Sequence, residues 1–181
     1  MMKFDYAILA ADKQGGIGLE NKLLFTDKKD FEFFQKMTNK VIVVMGSNTY
    51  KSLPNGGKFL TRRGCAGIVL TREPEKLEVA PGFICVTEEN FLSAVSLIKT
   101  SHERMGTPLE KVVLIGGGYY YNRMDEFEIE KVYLTIFNSE NENYVSRADT
   151  FVDLNQKVFS KSVIHENHEN ITIYECQPPE I

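Results

Sequence analysis

Short apolar runs alternate along the chain with stretches whose apolar positions recur three or four apart. Phe4–Ala11 is mostly apolar and predicts a strand buried on both faces. Val41–Met45, Ile68–Thr71 and Phe83–Val86 predict further short strands, and Lys111–Ile115 carries the strongest strand signal. Between them, Asp30, Phe34 and Met37 share one face of a helix, with Phe31 beside them. Thr26 is the predicted cap of that helix, and Asp27 suits the positive end of its dipole. Ser47–Leu53 predicts a short helix ended by Pro54, and Pro54–Gly67 an irregular segment. Thr87 should cap a helix that turns Phe91, Ala94, Val95 and Ile98 inward. Lys131–Phe137 reads as a strand, Asn138–Asp149 as a polar loop, and Lys157–His165 with Ile171–Cys176 as an antiparallel hairpin. Strands alternating with helices and closed by a hairpin predict an α/β layer fold: a mixed, mostly parallel central sheet with flanking helices. With no repeat, low-complexity tract or linker, residues 1–181 read as one domain.

Composition fits that picture, with 43% of the 181 residues hydrophobic and 25% charged. No apolar run is long enough to span a membrane, and Met-Met-Lys-Phe-Asp is unlike a signal peptide, so a cytoplasmic protein is expected. Cys65, Cys85 and Cys176 are widely spaced, which predicts free thiols, and neither they nor the histidines suggest a metal site. The net charge is −4, yet no acid falls between Phe33 and Arg72, where Lys36, Lys40, Lys51, Lys58, Arg62, Arg63 and Arg72 all lie. An acidic chain with one basic region suits a small polyanion such as a phosphorylated cofactor better than nucleic acid. A solvated lysine face is the plainer reading of the same pattern.

Three places carry candidate chemistry. Asp30 sits among aromatic residues on the face that should pack inward, and a buried carboxylate is costly unless paired. Either it merely favours the helix N-terminus or it faces a ligand that presents N–H donors. Gly15, Gly16 and Gly18 loosen the segment before that helix, as in a mobile lid. Gly46 and the triplet Gly116–Gly118 each follow a buried strand and precede a helix, a usual place for an anion. The triplet fits neither the dinucleotide fingerprint nor the P-loop.

Taken in order, these segments resemble dihydrofolate reductase nearly end to end. Ile8–Ala11 with Gly16–Leu23 looks like that family's first strand and active-site loop, and Asp30–Phe34 its acidic helix. Val44–Pro54, Val69–Glu73 and Ile115–Tyr121 resemble its cofactor segments, and Tyr133–Thr135 with Ala148–Phe151 its late strand and loop. The resemblance implies NADPH-dependent reduction of dihydrofolate to tetrahydrofolate by a monomer that antifolates would inhibit. It makes Asp30, Phe25 and Thr135 catalytic, with Asp30 meeting the pterin's amidine-like edge and Thr135 holding it. Ile8 and Ile115 would offer carbonyls to the ring, Phe34 would pack on it, and Leu9, Ala10, Phe31, Leu53 and Tyr121 would line the substrate. The cofactor would meet Gly46, Ser47, Asn48 and Thr49 at one helix start, and Gly116, Gly117, Gly118, Tyr119, Tyr120 and Tyr121 at another. Ala10, Ile17, Gly18, Leu23, Leu70, Thr71, Arg72 and Ile115 would complete its surroundings. A cis peptide is implied at Gly116–Gly117.

Departures from the family pattern are specific. Leu24-Phe25 stands where many members have Pro-Trp, and Ser47 where a base usually faces the cofactor phosphates. Gly56–Gly67 is longer than usual; Arg63 aligns best with the arginine for the substrate's glutamate carboxylate, with Arg62 next to it. The rivals are a riboflavin-pathway pyrimidine reductase of similar fold and a non-catalytic folate- or nucleotide-binding protein. The set Asp30, Phe34, Thr49, Thr135 and Gly116–Gly118 counts against both.

Overall fold

The computed structural model describes residues 1–180. In chain order the elements are β1 (Lys3–Ala11), β2 (Gly16–Leu19), β3 (Lys22–Leu23), α1 (Lys28–Met37), β4 (Ile42–Gly46), α2 (Ser47–Ser52), α3 (Lys58–Thr61) and β5 (Ala66–Leu70). There follow β6 (Phe83–Val86), α4 (Phe91–Arg104), β7 (Val112–Gly116), α5 (Gly118–Tyr121), β8 (Glu128–Phe137), β9 (Thr150–Phe151), β10 (Lys161–Asn167) and β11 (Ile171–Gln177). Eight strands form one sheet in the order β10-β11-β8-β1-β7-β4-β5-β6. From β8 to β6 every pairing is parallel, and β11 joins β8 antiparallel with β10 outside it. This is the expected mixed sheet and closing hairpin, although Lys157–Phe159 is a 3₁₀ turn and the hairpin strand starts at Lys161.

The central strands are apolar throughout because helices cover both faces. Ile42, Val44, Ile68, Leu70, Val112 and Leu114 point into the layer filled by Phe91, Ala94 and Ile98 of α4. Their neighbours Val43, Met45, Val69, Val113 and Ile115 point the other way, against Phe33 of α1, Tyr50 of α2 and Leu60 of α3. Three local expectations are corrected. The stretch expected to be irregular, Pro54–Gly67, contains a 3₁₀ turn and α3 and then starts β5 at Ala66, where Gly67 lets the Phe83 ring lie against the backbone. Thr87 precedes a 3₁₀ turn rather than α4 itself, and its side chain caps nothing. The glycine segment expected to be a loop forms the middle strand of a small sheet, β3-β2-β9.

Candidate active site

Parallel strands end on one side, so β1, β4, β5 and β7 deliver Ala11, Gly46, Leu70 and Gly116 to a common edge. Ligand crevices in α/β sheets open at such an edge. α1 brings Asp30 to it. The helix is capped by Asp27, whose carboxylate accepts from the Asp30 N–H at 3.0 Å; Thr26, the expected cap, is exposed one residue too early to reach. Asp30 is half-buried, and loss of water pushes its carboxyl above the usual carboxylate range. Thr135 opposes that rise as a hydrogen-bond donor, while the Asp27 charge adds to it. Thr135 is buried on β8 beside Ala10 of β1. Tyr121, also buried, donates to the Ile8 carbonyl at 2.7 Å, and its hydroxyl is pushed up by burial and then by the Asp30 charge. Asp30, Thr135, Tyr121 and Ile8 therefore converge. The Ile8 oxygen keeps a second lone pair for a ligand.

The aromatic face of α1 is rotated from expectation. Phe33 is the ring that is fully buried, edge-on to Tyr133 and His165 at 5.6 Å from each. Phe34 is half-buried toward Phe59, and Phe31 remains 52% exposed at the cleft end. Phe25 stacks on Phe137 at 4.2 Å, so an aromatic body does stand where the indole was missing. Leu9 and Leu70 turn their side chains into the α4 layer, which leaves only their backbone for a ligand. Leu53 is half-buried against the opposite layer.

The two candidate arginines differ in burial. Arg62 is exposed, whereas Arg63 is half-buried and tied down: Nη1 donates to the Phe59 carbonyl at 2.9 Å and Nη2 to Thr38 Oγ1 at 2.5 Å. Its Nε is buried without a partner. Thr38, absent from the sequence reading, is fully buried; its hydroxyl donates to the Phe34 carbonyl and its carbonyl accepts from the Cys65 thiol.

Across the crevice lies a glycine cradle. Gly116–Gly117 is cis, as the resemblance implied. A Cβ on either glycine would meet Thr49 Oγ1 at 2.8 or 2.7 Å, and Gly116 holds φ +152°, so no other residue fits there. Tyr120 is buried over Gly46, and Ile17 and Thr150 close on Gly118. Neither α2 nor α5 has a side-chain cap, so their first N–H groups, at Ser47–Thr49 and at Gly118 and Tyr119, remain available. Tyr119 is exposed under the Arg123 guanidinium, 4.8 Å away. Arg72 is exposed just past β5, next to Thr71; Glu73 pairs with Lys76 at 2.8 Å rather than with Arg72. Leu23 is exposed on β3, and Gly18 pairs with it.

Asp12 was also missed. It is 1% exposed, and its carboxylate accepts from the N–H groups of Gln14 and Gly16, from the Tyr144 hydroxyl at 3.0 Å and from Ser146. It pins the glycine segment to the 138–149 loop, which also returns Asp149 to the Glu20 N–H at 2.9 Å. An acid just before a glycine run is a faint signal for such a hub; its partners lie too far along the chain to be foreseen.

A half-buried carboxylate and a glycine cradle at the carboxyl ends of parallel strands mark a ligand-binding α/β protein. The chain matches the family described as dihydrofolate reductase over residues 6–177. It belongs to that family. It is 32% identical over 165 residues to the dihydrofolate reductase type 8 of Escherichia coli, covering 88% of this chain and 90% of that one. With the dihydrofolate reductase of Aedes albopictus it shares 26% over 144 residues, 75% and 73% of the two chains. Its 32% identity over 123 residues with the bifunctional dihydrofolate reductase-thymidylate synthase 2 of Arabidopsis thaliana spans 61% of this chain and 20% of that one. The fold is that of the Enterococcus faecalis dihydrofolate reductase solved with NADP(H) and RAB-propyl, at a TM-score of 0.61, 23% identity and 96% coverage of each chain.

Proposed function

We propose that residues 1–181 act as one unit that reduces 7,8-dihydrofolate to tetrahydrofolate with NADPH, using Asp30 as the carboxylate that binds and polarises the pterin. The observation that carries this reading is the half-buried Asp30, raised by desolvation yet held by Thr135 beside the Ile8 carbonyl. A carboxylate there is costly without a ligand and favourable opposite a protonated ring edge. Polarisation of that edge favours a proton on the ring nitrogen next to the carbon that is reduced, without Asp30 having to deliver it. Phe34 and Phe31 flank the ring, and Phe25, stacked on Phe137, keeps water from that side.

The glycine cradle fits the cofactor's pyrophosphate, because Thr49 fills the space that any Cβ on Gly116 or Gly117 would need. Gly46, Ser47, Asn48, Thr49 and Gly118 would hold the phosphates through free N–H groups, and Arg72 the 2′-phosphate. NADPH supplies the hydride. Arg63 takes a carboxylate of the substrate's glutamate, since its guanidinium is pre-positioned by the Phe59 carbonyl and Thr38. The unit works as a cytoplasmic monomer with antifolates as inhibitors and no nucleic-acid partner; the acidic net charge of −4 and three free cysteines support the setting. Among the described residues no helix is long and apolar enough to cross a membrane.

The test is loss of NADPH absorbance with and without dihydrofolate. Dihydrofolate-dependent oxidation is expected. Its absence, with binding retained, would sustain the reading as a non-catalytic folate binder instead.

A further inference from the structure

The carboxyl ends of β5 and β6 lie side by side: Leu70 pairs with Val86, and the Thr71 N–H donates to the Val86 carbonyl at 3.0 Å. Two residues beyond that pair the strands deliver Arg72 and Glu88, a cation and an acid at one level of the crevice edge. Glu88 is half-buried, and its carboxylate binds Arg123, with Nη1 at 2.6 Å and Nη2 at 3.2 Å. Arg123 reaches it from just past α5, across the rings of Tyr119 and Tyr120, while its Nε holds Glu126 at 3.0 Å. The hydrogen bonds from Arg123 hold the Glu88 carboxyl below the usual carboxylate range; the Tyr120 hydroxyl and the Arg72 charge add to this, and burial opposes it. Glu88 therefore feels two arginines, one that it binds and one assigned to a phosphate. The chemistry at the pterin ring uses neither Glu88 nor Arg123.

We propose that the Glu88–Arg123 pair sets how strongly NADPH is preferred over NADH: the Glu88 carboxylate opposes the charge of a 2′-phosphate on Arg72, and Arg123 offsets that opposition. This rests on Arg72 as the residue that reads the phosphate. NADH carries no 2′-phosphate, so a charge beside Arg72 acts on one cofactor and is nearly silent toward the other. An ion pair kept only for packing would treat the two cofactors alike. The two roles also differ in sign. Breaking the pair from either side loosens the same contact, yet removal of Glu88 leaves a net positive charge near Arg72, whereas removal of Arg123 leaves a net negative one.

One unit charge acting on another near a surface changes binding roughly 1.4- to 5-fold. A phosphate monoester carries about 1.5 charges or more at pH 7, so each variant should move the ratio of Kd for NADH to Kd for NADPH by about 2- to 10-fold. Calorimetric titration of the substrate-free protein with each cofactor reads that ratio without catalysis. Glu88→Gln should raise it and Arg123→Gln should lower it. The double variant Glu88→Gln/Arg123→Gln should bring it back toward the parent value. Shifts in the same direction in the two single variants, or no shift in either, overturn the proposal. Arg123→Gln also takes a cation from the rings of Tyr119, Tyr120 and Phe127, and it may melt too early to titrate. Glu126→Gln then serves: it takes a partner from the same arginine on the turn that leads to β8, whose first residue, Glu128, pairs with Lys3 at the opposite edge of the sheet. It should move the ratio less than Glu88→Gln does, and an equal rise in both overturns the proposal. Failure of the underlying reading looks different: Arg72→Ala would then leave the parent ratio unchanged.

Discussion

Arg63→Leu separates binding of the substrate tail from chemistry at the ring. The guanidinium is held at two points, by the Phe59 carbonyl at 2.9 Å and by Thr38 Oγ1 at 2.5 Å, and it reaches the bound state already ordered. A charge-assisted hydrogen bond to a carboxylate contributes about 1.5–3 kcal/mol. Its loss should raise KM for dihydrofolate by about 10- to 150-fold. A dihydropterin without the glutamyl tail never makes that contact, so its KM and kcat should stay within about twofold of the parent. Stability changes too, by a separate route. The Phe59 carbonyl loses its donor, whereas the Thr38 carbonyl keeps the Cys65 thiol at 2.8 Å. One orphaned carbonyl costs about 1–3 kcal/mol. For a chain of 181 residues that lowers Tm by about 2–12 °C. Steady-state rates below 25 °C at saturating NADPH, with both substrates, read the tail effect free of unfolding. An equal rise in KM for both substrates would refute the reasoning, as would Arg62→Leu producing the tail-specific loss while Arg63→Leu does not.

Two other substitutions probe the ring and the cofactor. Asp30→Asn keeps the shape and removes the charge, so activity at pH 7 should fall about 10²- to 10³-fold and the residual rate should rise in acid; equal activity of variant and parent at pH 7 would end the assigned role. The same substitution should raise the Tm of the ligand-free protein at pH 7. Because burial lifts the folded Asp30 carboxyl above its unfolded value, its favourable contribution is complete below the unfolded pKa of about 3.9 and is lost as pH rises through the folded pKa. The gain in the variant should therefore shrink toward pH 4, and a gain that grew in acid would contradict the sign. Arg72→Ala should reduce selectivity for NADPH over NADH by about 1.5–3 kcal/mol, roughly ten- to a hundredfold, read from the two specificity constants. An unchanged ratio would hand the 2′-phosphate to another cation, Lys51 or Lys76.

Much of the layer architecture was legible because its signals are local. Buried β-branched runs such as Val41–Met45 and Lys111–Ile115 need only sequence neighbours to be recognised, and glycines between strand and helix mark close approach. Boundaries were less legible. The cap moved from Thr26 to Asp27 because the choice depends on which residue opens the first turn, and both side chains can cap. The inward ring of α1 proved to be Phe33 because Tyr133 and His165 wait on that side, and period alone cannot distinguish adjacent aromatic residues. Arg63 aligned best in the sequence, but that Thr38 and the Phe59 carbonyl hold it while Arg62 stays exposed could not be read there. Asp12 shows the same limit more strongly, since Tyr144 and Ser146 lie 132 and 134 residues further along.

That separation bears on how the crevice is made during synthesis. Of the strands of the sheet β1 is made before the others, yet its two neighbours are β7 and β8. A nascent chain that ends near residue 100 already holds Asp30 and Thr49, but it lacks the strand that brings Gly116 and the one that brings Thr135. Its β1 edges stay unpaired, and such edges invite association with other chains. Asp12 Oδ2 is satisfied later still, by Tyr144 and Ser146. Pairings this distant slow folding, because the entropy of closing a long loop is lost before any contact repays it. The crevice is thus among the last parts of the molecule to form, and the exposed central strand is the segment most in need of protection until β7 and β8 appear.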